Sequence, residues 1–103
     1  MPVKQIGPAR FPQHDVLVRE LLDEWSNPDP GKSEPVILEE PGPMSKLAHV
    51  YVIWSKWDQM DRAERSEIIM EAAERRLPPQ DASNISIAMG LTSQEAQRLG
   101  LKY

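Results

Sequence analysis

The sequence predicts an α+β domain of two layers, in which helices cover one face of a three-stranded mixed sheet. Two segments repeat apolar residues with the 3.6-residue period of amphipathic helices. One run, LAHVYVIW, has the β-branched and aromatic composition of a well-covered central strand. Prolines and glycines separate these segments where loops are needed. The predicted order is helix, strand, strand, helix, strand, helix.

The amino-terminal arm differs in composition from the rest of the chain. Pro2, Pro8 and Pro12 lie there together with Gly7, and proline favours an extended backbone. We therefore predict an extended arm over residues 1–13 and a single α+β domain over 14–103.

The first helix is predicted over residues 14–25, because apolar residues recur there at the spacing of one helix face. The stripe consists of Leu17, Val18, Leu21, Leu22 and Trp25. Asn27-Pro28 ends the helix, since a residue before proline avoids the α region. His14, at the helix start, is expected to be solvated.

Two strands follow, PVILEE (35–40) and LAHVYVIW (47–54). The Pro-Gly-Pro turn between them predicts an antiparallel hairpin with a loop longer than the minimum. His49 falls on the same strand face as Tyr51 and Ile53, because side chains alternate along a strand.

The second helix is predicted over 61–77, with Asp61 as its N-cap and Pro78-Pro79 at its end. Its apolar face is formed by Ile68, Ile69, Ala72, Ala73 and Leu77. A third strand is predicted over 84–89, ended by Gly90. Because a helix joins the second and third strands, they should pair in parallel through a right-handed crossover.

A last short helix is predicted from the run Thr92-Ser93-Gln94-Glu95, which is a capping box. Gly100 is expected to close this helix, because glycine favours the left-handed conformation found just after helix ends.

Composition excludes several functions. The net charge is −4, from 16 acidic and 12 basic residues, whereas nucleic-acid binding usually needs a basic surface. The chain has no cysteine, which excludes disulfides, thiolate catalysis and thiolate-bound metals. No apolar run approaches the ~20 residues of a membrane helix, and the amino end lacks a secretory signal pattern. We expect a cytoplasmic protein without membrane contact.

No pattern indicates catalysis. The chain has two histidines, and His49 lies ~20 Å along an extended strand from Ser55, too far for a nucleophile and its base. The acidic residues of the second helix are interpreted as its solvated face; they are Glu64, Glu67, Glu71 and Glu74. We therefore predict a protein that is not an enzyme and has no cofactor or metal.

The stretch WSKWDQMDRAERSEII (54–69) contains two tryptophans three residues apart, just before the second helix. In one interpretation Trp57 and Met60 fill the corner where strand meets helix. In the other, Trp57 is an exposed anchor for a partner, since tryptophan is enriched in binding hot spots.

Residues 57–72 resemble the corresponding stretch of BolA-like proteins, where an aromatic residue, a turn with Leu or Met, a small polar cap and a helical arginine follow a strand. The corresponding residues here are Trp57, Met60, Asp61 and Arg65. ISIAMGLTSQEA (85–96) is similar to the family's third strand and final turn, with Ser93 where proline is usual. The resemblance covers about residues 14–99 and implies a BolA-like fold, which is related to the KH type II fold.

The resemblance also implies a partner, because BolA-like proteins bind monothiol glutaredoxins and share an iron–sulfur cluster with them. The cluster ligands of the family are not matched. Ser83 stands near the place of one family histidine, His49 lies two residues beyond the place of another, and the hairpin loop holds neither His nor Cys. We therefore expect the fold without the cluster.

These observations predict a small, non-catalytic protein-interaction or regulatory module. The predicted partner-binding residues are Met44, Lys46, His49, Trp57, Arg65 and Ser83. Two alternatives stay open. One is a nucleic-acid-binding module on a KH-like surface, which the charge and the missing Gly-x-x-Gly clamp disfavour. The other is an accessory subunit of a larger complex, docked through the arm 1–13.

Overall fold

The predicted order of helices and strands is confirmed in a computed structural model that describes residues 14–42 and 47–103. The arm 1–13 and the hairpin-loop residues 43–46 lie outside the described residues, and so do the expectations for them. The elements are α1 His14–Ser26, β1 Val36–Pro41, β2 Leu47–Ile53, a 3-10 helix Ser55–Gln59, α2 Arg62–Arg76, α3 Pro79–Ala82, β3 Ile87–Leu91 and α4 Ser93–Arg98.

The described strands form one mixed sheet in the order β1-β2-β3. β1 runs antiparallel to β2, from the pair Val36–Ile53 to the pair Pro41–Leu47. β2 runs parallel to β3, from His49–Ile87 to Ile53–Leu91. The predicted antiparallel pairing of the first two strands and the predicted parallel pairing of the second and third are therefore confirmed.

Gly90 lies inside β3, so the prediction that it ends the strand was wrong. A Cβ atom built on Gly90 would lie 2.8 Å from the Cβ of Arg65 and 2.9 Å from the indole of Trp57. Glycine in a strand interior often marks such a close approach. The strand continues because glycine lets these side chains of the 3-10 helix and α2 pack directly on its backbone.

The main core lies between the sheet and the pair of helices α1 and α2. Val50 and Val52 of the central strand, and Trp54 just after that strand, face the helices. The predicted helix stripes supply the opposite side, with Leu17, Val18, Leu21, Trp25, Ile68, Ile69, Ala72 and Ala73 buried. No helix in the described ranges is long and apolar enough to cross a membrane.

The helix ends follow the predicted caps. The side chain of Asp61 accepts a hydrogen bond from the amide of Glu64 at 2.8 Å, which starts α2. Thr92 and Glu95 form the complete capping box of α4. Gly100 has a φ of 74° and follows the last helical turn, as expected for a left-handed glycine after a helix.

Candidate interaction surface

Among residues 14–42 and 47–103, the sheet face opposite α1 and α2 is covered by a helix at one end only, where α4 packs on it. The strand registers place nine side chains on this face in three rows. The rows are Glu40–His49–Ile87, Leu38–Tyr51–Met89 and Val36–Ile53–Leu91. The third row is closed, because Ile53 and Leu91 are buried in a small cluster with Ala96 of α4.

The first two rows form the open sheet face, which we define as Leu38, Glu40, His49, Tyr51, Ile87 and Met89. Apart from the exposed Glu40, these side chains are half-buried. The middle row is apolar across all three strands. On the sheet's other face, Val50 and Val52 are fully buried in the core, whereas the three residues of this row keep part of their surface exposed.

A histidine–glutamate pair lies at the end of this face that is away from α4. The Nδ1 atom of His49 lies 3.0 Å from Oε1 of Glu40, with 28% of the histidine side chain and 60% of the glutamate side chain exposed. The imidazole also meets the ring of Tyr51 edge to face, with 6.2 Å between ring centroids. His49 therefore lies on the face predicted for it, beside Tyr51.

Arg65 does not offer a binding surface, contrary to its place among the predicted site residues. Its side chain is buried and donates to the carbonyl oxygens of Met60 at 3.0 Å and Gly90 at 3.2 Å. It also donates to Oε1 of Glu95 at 2.6 Å. Arg65 thus joins α2 to β3 and α4, which holds α4 at the closed end of the sheet face.

The carboxylate of Glu95 is stabilised in its charged form. The backbone amide of Thr92 donates to it at 2.8 Å and is the main cause that lowers the pKa of Glu95. Partial burial opposes this effect, and Arg65 adds to it through its hydrogen bond and its charge.

Trp57 is a core residue, so the interpretation as an exposed anchor is wrong for this conformation. Its side chain is 0% exposed, and its Nε1 donates to the carbonyl oxygen of Val52 at 2.9 Å. The ring packs edge to face against Trp54, with 5.1 Å between centroids. The other interpretation, a filled corner between strand and helix, is the one observed.

Of the remaining predicted site residues, Ser83 is described and is not part of the open sheet face. Ser83 is exposed just after α3, where its hydroxyl donates to the carbonyl of Gln80 at 3.0 Å. It lines a separate cleft of about 280 Å³ against Met70 and Glu74 of α2. Met44 and Lys46 lie outside the described residues.

A second cleft, of about 330 Å³, lies where the end of α1 meets β1. Its polar groups are largely paired with one another. The indole of Trp25 donates to Glu39, and Nε of Arg76 donates to the carbonyl of Trp25 at 3.4 Å.

Two sequence interpretations of charged groups on α1 and α2 are corrected. His14 is buried rather than solvated, with a side chain that is 2% exposed. Glu64 and Glu71 are half-buried beside it instead of lying on a solvated face, while Glu67 and Glu74 are exposed as expected. The cause is that α1 packs across this part of α2.

The strand residues Leu38, Ile87 and Met89 were missed by the sequence analysis as surface candidates. The alternation of side chains along each strand could have identified them, because their neighbours in sequence lie on the opposite face of the sheet.

The chain matches no family model, no curated protein and no solved structure.

Proposed function

We propose that this protein is a small, non-catalytic module that binds another protein through the open sheet face. The carrying observation is the apolar middle row, Leu38–Tyr51–Met89, which crosses all three strands and is half-buried, with part of its surface accessible. Contiguous apolar surface of this kind marks interaction sites in soluble proteins. The proposal places the protein in the cytoplasm.

The chemistry of the face indicates what the partner presents. Its centre is apolar, the end away from α4 carries the exposed carboxylate of Glu40, and the whole chain has a net charge of −4. A partner segment with an apolar cluster and a basic residue at one end would match this surface. Charge complementarity of this sort contributes to specificity and association rate.

The alternative of nucleic-acid binding has less support on this surface. None of the nine side chains on this face of the sheet is a lysine or an arginine, and phosphate contacts need such groups. The carboxylate of Glu40 would repel a phosphate backbone.

The resemblance to BolA-like proteins supports a protein partner, because that family binds monothiol glutaredoxins. A glutaredoxin is therefore the first partner to test. In this proposal no cluster is shared, since Ser83 and the hairpin loop supply none of the family's ligands.

The decisive experiment identifies the partner by crosslinking it to the open sheet face. A photo-crosslinking amino acid is placed at Met89, and the crosslinked protein is identified, purified and titrated against the chain. We expect Met89→Lys to weaken binding by at least about tenfold, or about 1.4 kcal/mol, because it puts a charge in the apolar row.

Val16→Lys is the matched control, because Val16 is 51% exposed on α1, away from the sheet. It should leave the affinity unchanged, and circular dichroism should show both variants folded. Equal affinity of wild type and Met89→Lys for the purified partner would exclude the open sheet face as the binding site.

A further inference from the structure

The contact between α1 and α2 contains buried polar atoms whose hydrogen-bonding capacity is unused. Within the described part of the chain, Nδ1 and Nε2 of His14 and Oε2 of Glu64 are buried without a hydrogen-bond partner. Buried polar atoms are normally paired, because the lost hydration is otherwise uncompensated. An imidazole with both nitrogens unused therefore needs an explanation.

Carboxylates surround this imidazole at distances too long for hydrogen bonds. Nε2 of His14 lies 3.6 Å from Oε1 of Glu71, and Nδ1 lies 3.8 Å from Oε2 of Glu64. Ligand atoms of His14, Asp15 and Glu71 all lie within 4.8 Å of one another. The 3.6 Å between Nε2 of His14 and Oε1 of Glu71 exceeds a hydrogen bond but matches the separation of two ligands on one metal ion.

We propose that His14, Asp15 and Glu71 bind a divalent transition-metal ion of the zinc type. Tetrahedral zinc ligands lie about 2.0–2.2 Å from the ion and so about 3.3–3.6 Å apart. Nε2 of His14 and Oε1 of Glu71 already stand 3.6 Å apart, and the exposed side chain of Asp15 closes the remaining distance by rotating toward them. A mixed set of one imidazole and two carboxylates suits Zn²⁺ or Co²⁺, whereas Mg²⁺ and Ca²⁺ prefer oxygen ligands alone.

Glu64 completes the arrangement from the other side of the ring. A histidine that binds a metal through one nitrogen commonly donates the other N–H to a carboxylate, which fixes the ring's orientation. With Nε2 toward Glu71, Nδ1 faces Glu64 in this way. Glu71 keeps its contact with Arg75 through its other oxygen, Oε2, at 3.4 Å, so metal binding at Oε1 does not require that contact to break.

The test is a titration of the metal-free full chain with Zn²⁺ by calorimetry, with Co²⁺ as a spectroscopic probe of nitrogen and oxygen ligation. We expect a single Zn²⁺ ion per chain and a rise in melting temperature, since a ligand that binds only the folded state stabilises it. Excess Mg²⁺ should not displace the ion. Absence of Zn²⁺ binding at millimolar concentration would overturn the proposal.

The chain has two histidines and no cysteine, so the same substitution can be made at the histidine of the proposed site and at the histidine outside it. His14→Gln should weaken binding at least about tenfold, and His49→Gln should not. Asp15→Asn changes an exposed residue, so it should fold normally and also weaken binding. If Asp15→Asn and His14→Gln bind Zn²⁺ as tightly as the wild type, the site is elsewhere and the proposal fails; if His14→Gln does not fold, Asp15→Asn alone decides.

Discussion

At the scale of single residues, the core position of Trp57 depends on Gly90, because only glycine leaves room for the indole on the backbone of β3. The indole of Trp57 lies against the backbone of Gly90, where a Cβ would stand 2.9 Å from the ring. The sequence left two interpretations of Trp57 open, because an aromatic residue after a strand can be core or anchor. A glycine in the middle of an apolar strand favours the core interpretation, since it makes room for a large side chain on the strand's backbone.

Substituting Gly90 tests this packing. Gly90→Ala should destabilise the fold by about 1–3 kcal/mol, because the added methyl group overfills a packed site. The measurement is urea unfolding followed by tryptophan fluorescence. Gly31→Ala is the control, since Gly31 is exposed and its nearest neighbour is the flexible side chain of Asp29. Equal stability of Gly90→Ala and wild type would contradict the close contact.

Two buried polar residues show that sequence periodicity predicts burial but not the partners of a buried side chain. Arg65 lies three and four positions before Ile68 and Ile69, and His14 three and four positions before Leu17 and Val18. Both therefore occupy the apolar stripes of their helices, which is a signal of burial. Their residue types indicated the surface instead. Their partners come from other elements, such as Gly90 and Glu95 for Arg65, and no local pattern predicts those.

At the scale of elements, local signals predicted α1, α2, β1 and β2 well. Their apolar periods, N-cap and turn residues lie within the segments themselves. The short helix α3 was missed because Pro78-Pro79 was interpreted only as a stop. Pro79 in fact begins α3, a position where proline's missing N–H costs nothing.

The attachment of α4 predicts how stability depends on pH. Thr92 and then Arg65 lower the pKa of Glu95 below its ordinary value of 4.5. The charged carboxylate therefore stabilises the folded state above about pH 4.5, and this contribution is lost as the pH falls through the lowered pKa. Glu95→Gln should be less stable than wild type by about 1.5–3 kcal/mol at pH 7, as for hydrogen bonds to charged groups.

The measurement is urea unfolding of both proteins between pH 7 and pH 3. The difference between wild type and Glu95→Gln should shrink as the pH falls below 4.5. Glu67→Gln serves as the control, because Glu67 is exposed on α2 and should show no such difference. A gap between wild type and Glu95→Gln that stays constant with pH would show that the carboxylate charge is unimportant.

At the scale of the whole molecule, sequence predicted the topology but not the open sheet face. The crossover follows from chain connectivity, since strands joined by a helix pair in parallel. Alternation along β1, β2 and β3 identifies two faces, yet it does not say how far α4 covers the second one. That depends on Arg65, which links α4 to the rest of the fold through Glu95.

The small cluster under α4 predicts uneven stability across the molecule. Val50 and Val52 in the central strand are fully buried in the main core, whereas α4 is held mainly by the burial of Ala96 and by the Arg65–Glu95 hydrogen bond. Amides of β2 should exchange with solvent only on global unfolding, and those of α4 should exchange faster through local opening. Hydrogen exchange followed by NMR measures both.

Glu95→Gln tests whether the Arg65–Glu95 contact controls this local opening. The variant should speed hydrogen exchange in α4 more than in β2, because it weakens the attachment of α4 to Arg65. Opening of α4 would expose Ile53 and Leu91 and extend the open sheet face by its third row. A partner that uses this longer face should then bind Glu95→Gln at least as well as the wild type. If α4 instead exchanges as slowly as β2, the two clusters form one cooperative unit, and a partner meets only the first two rows.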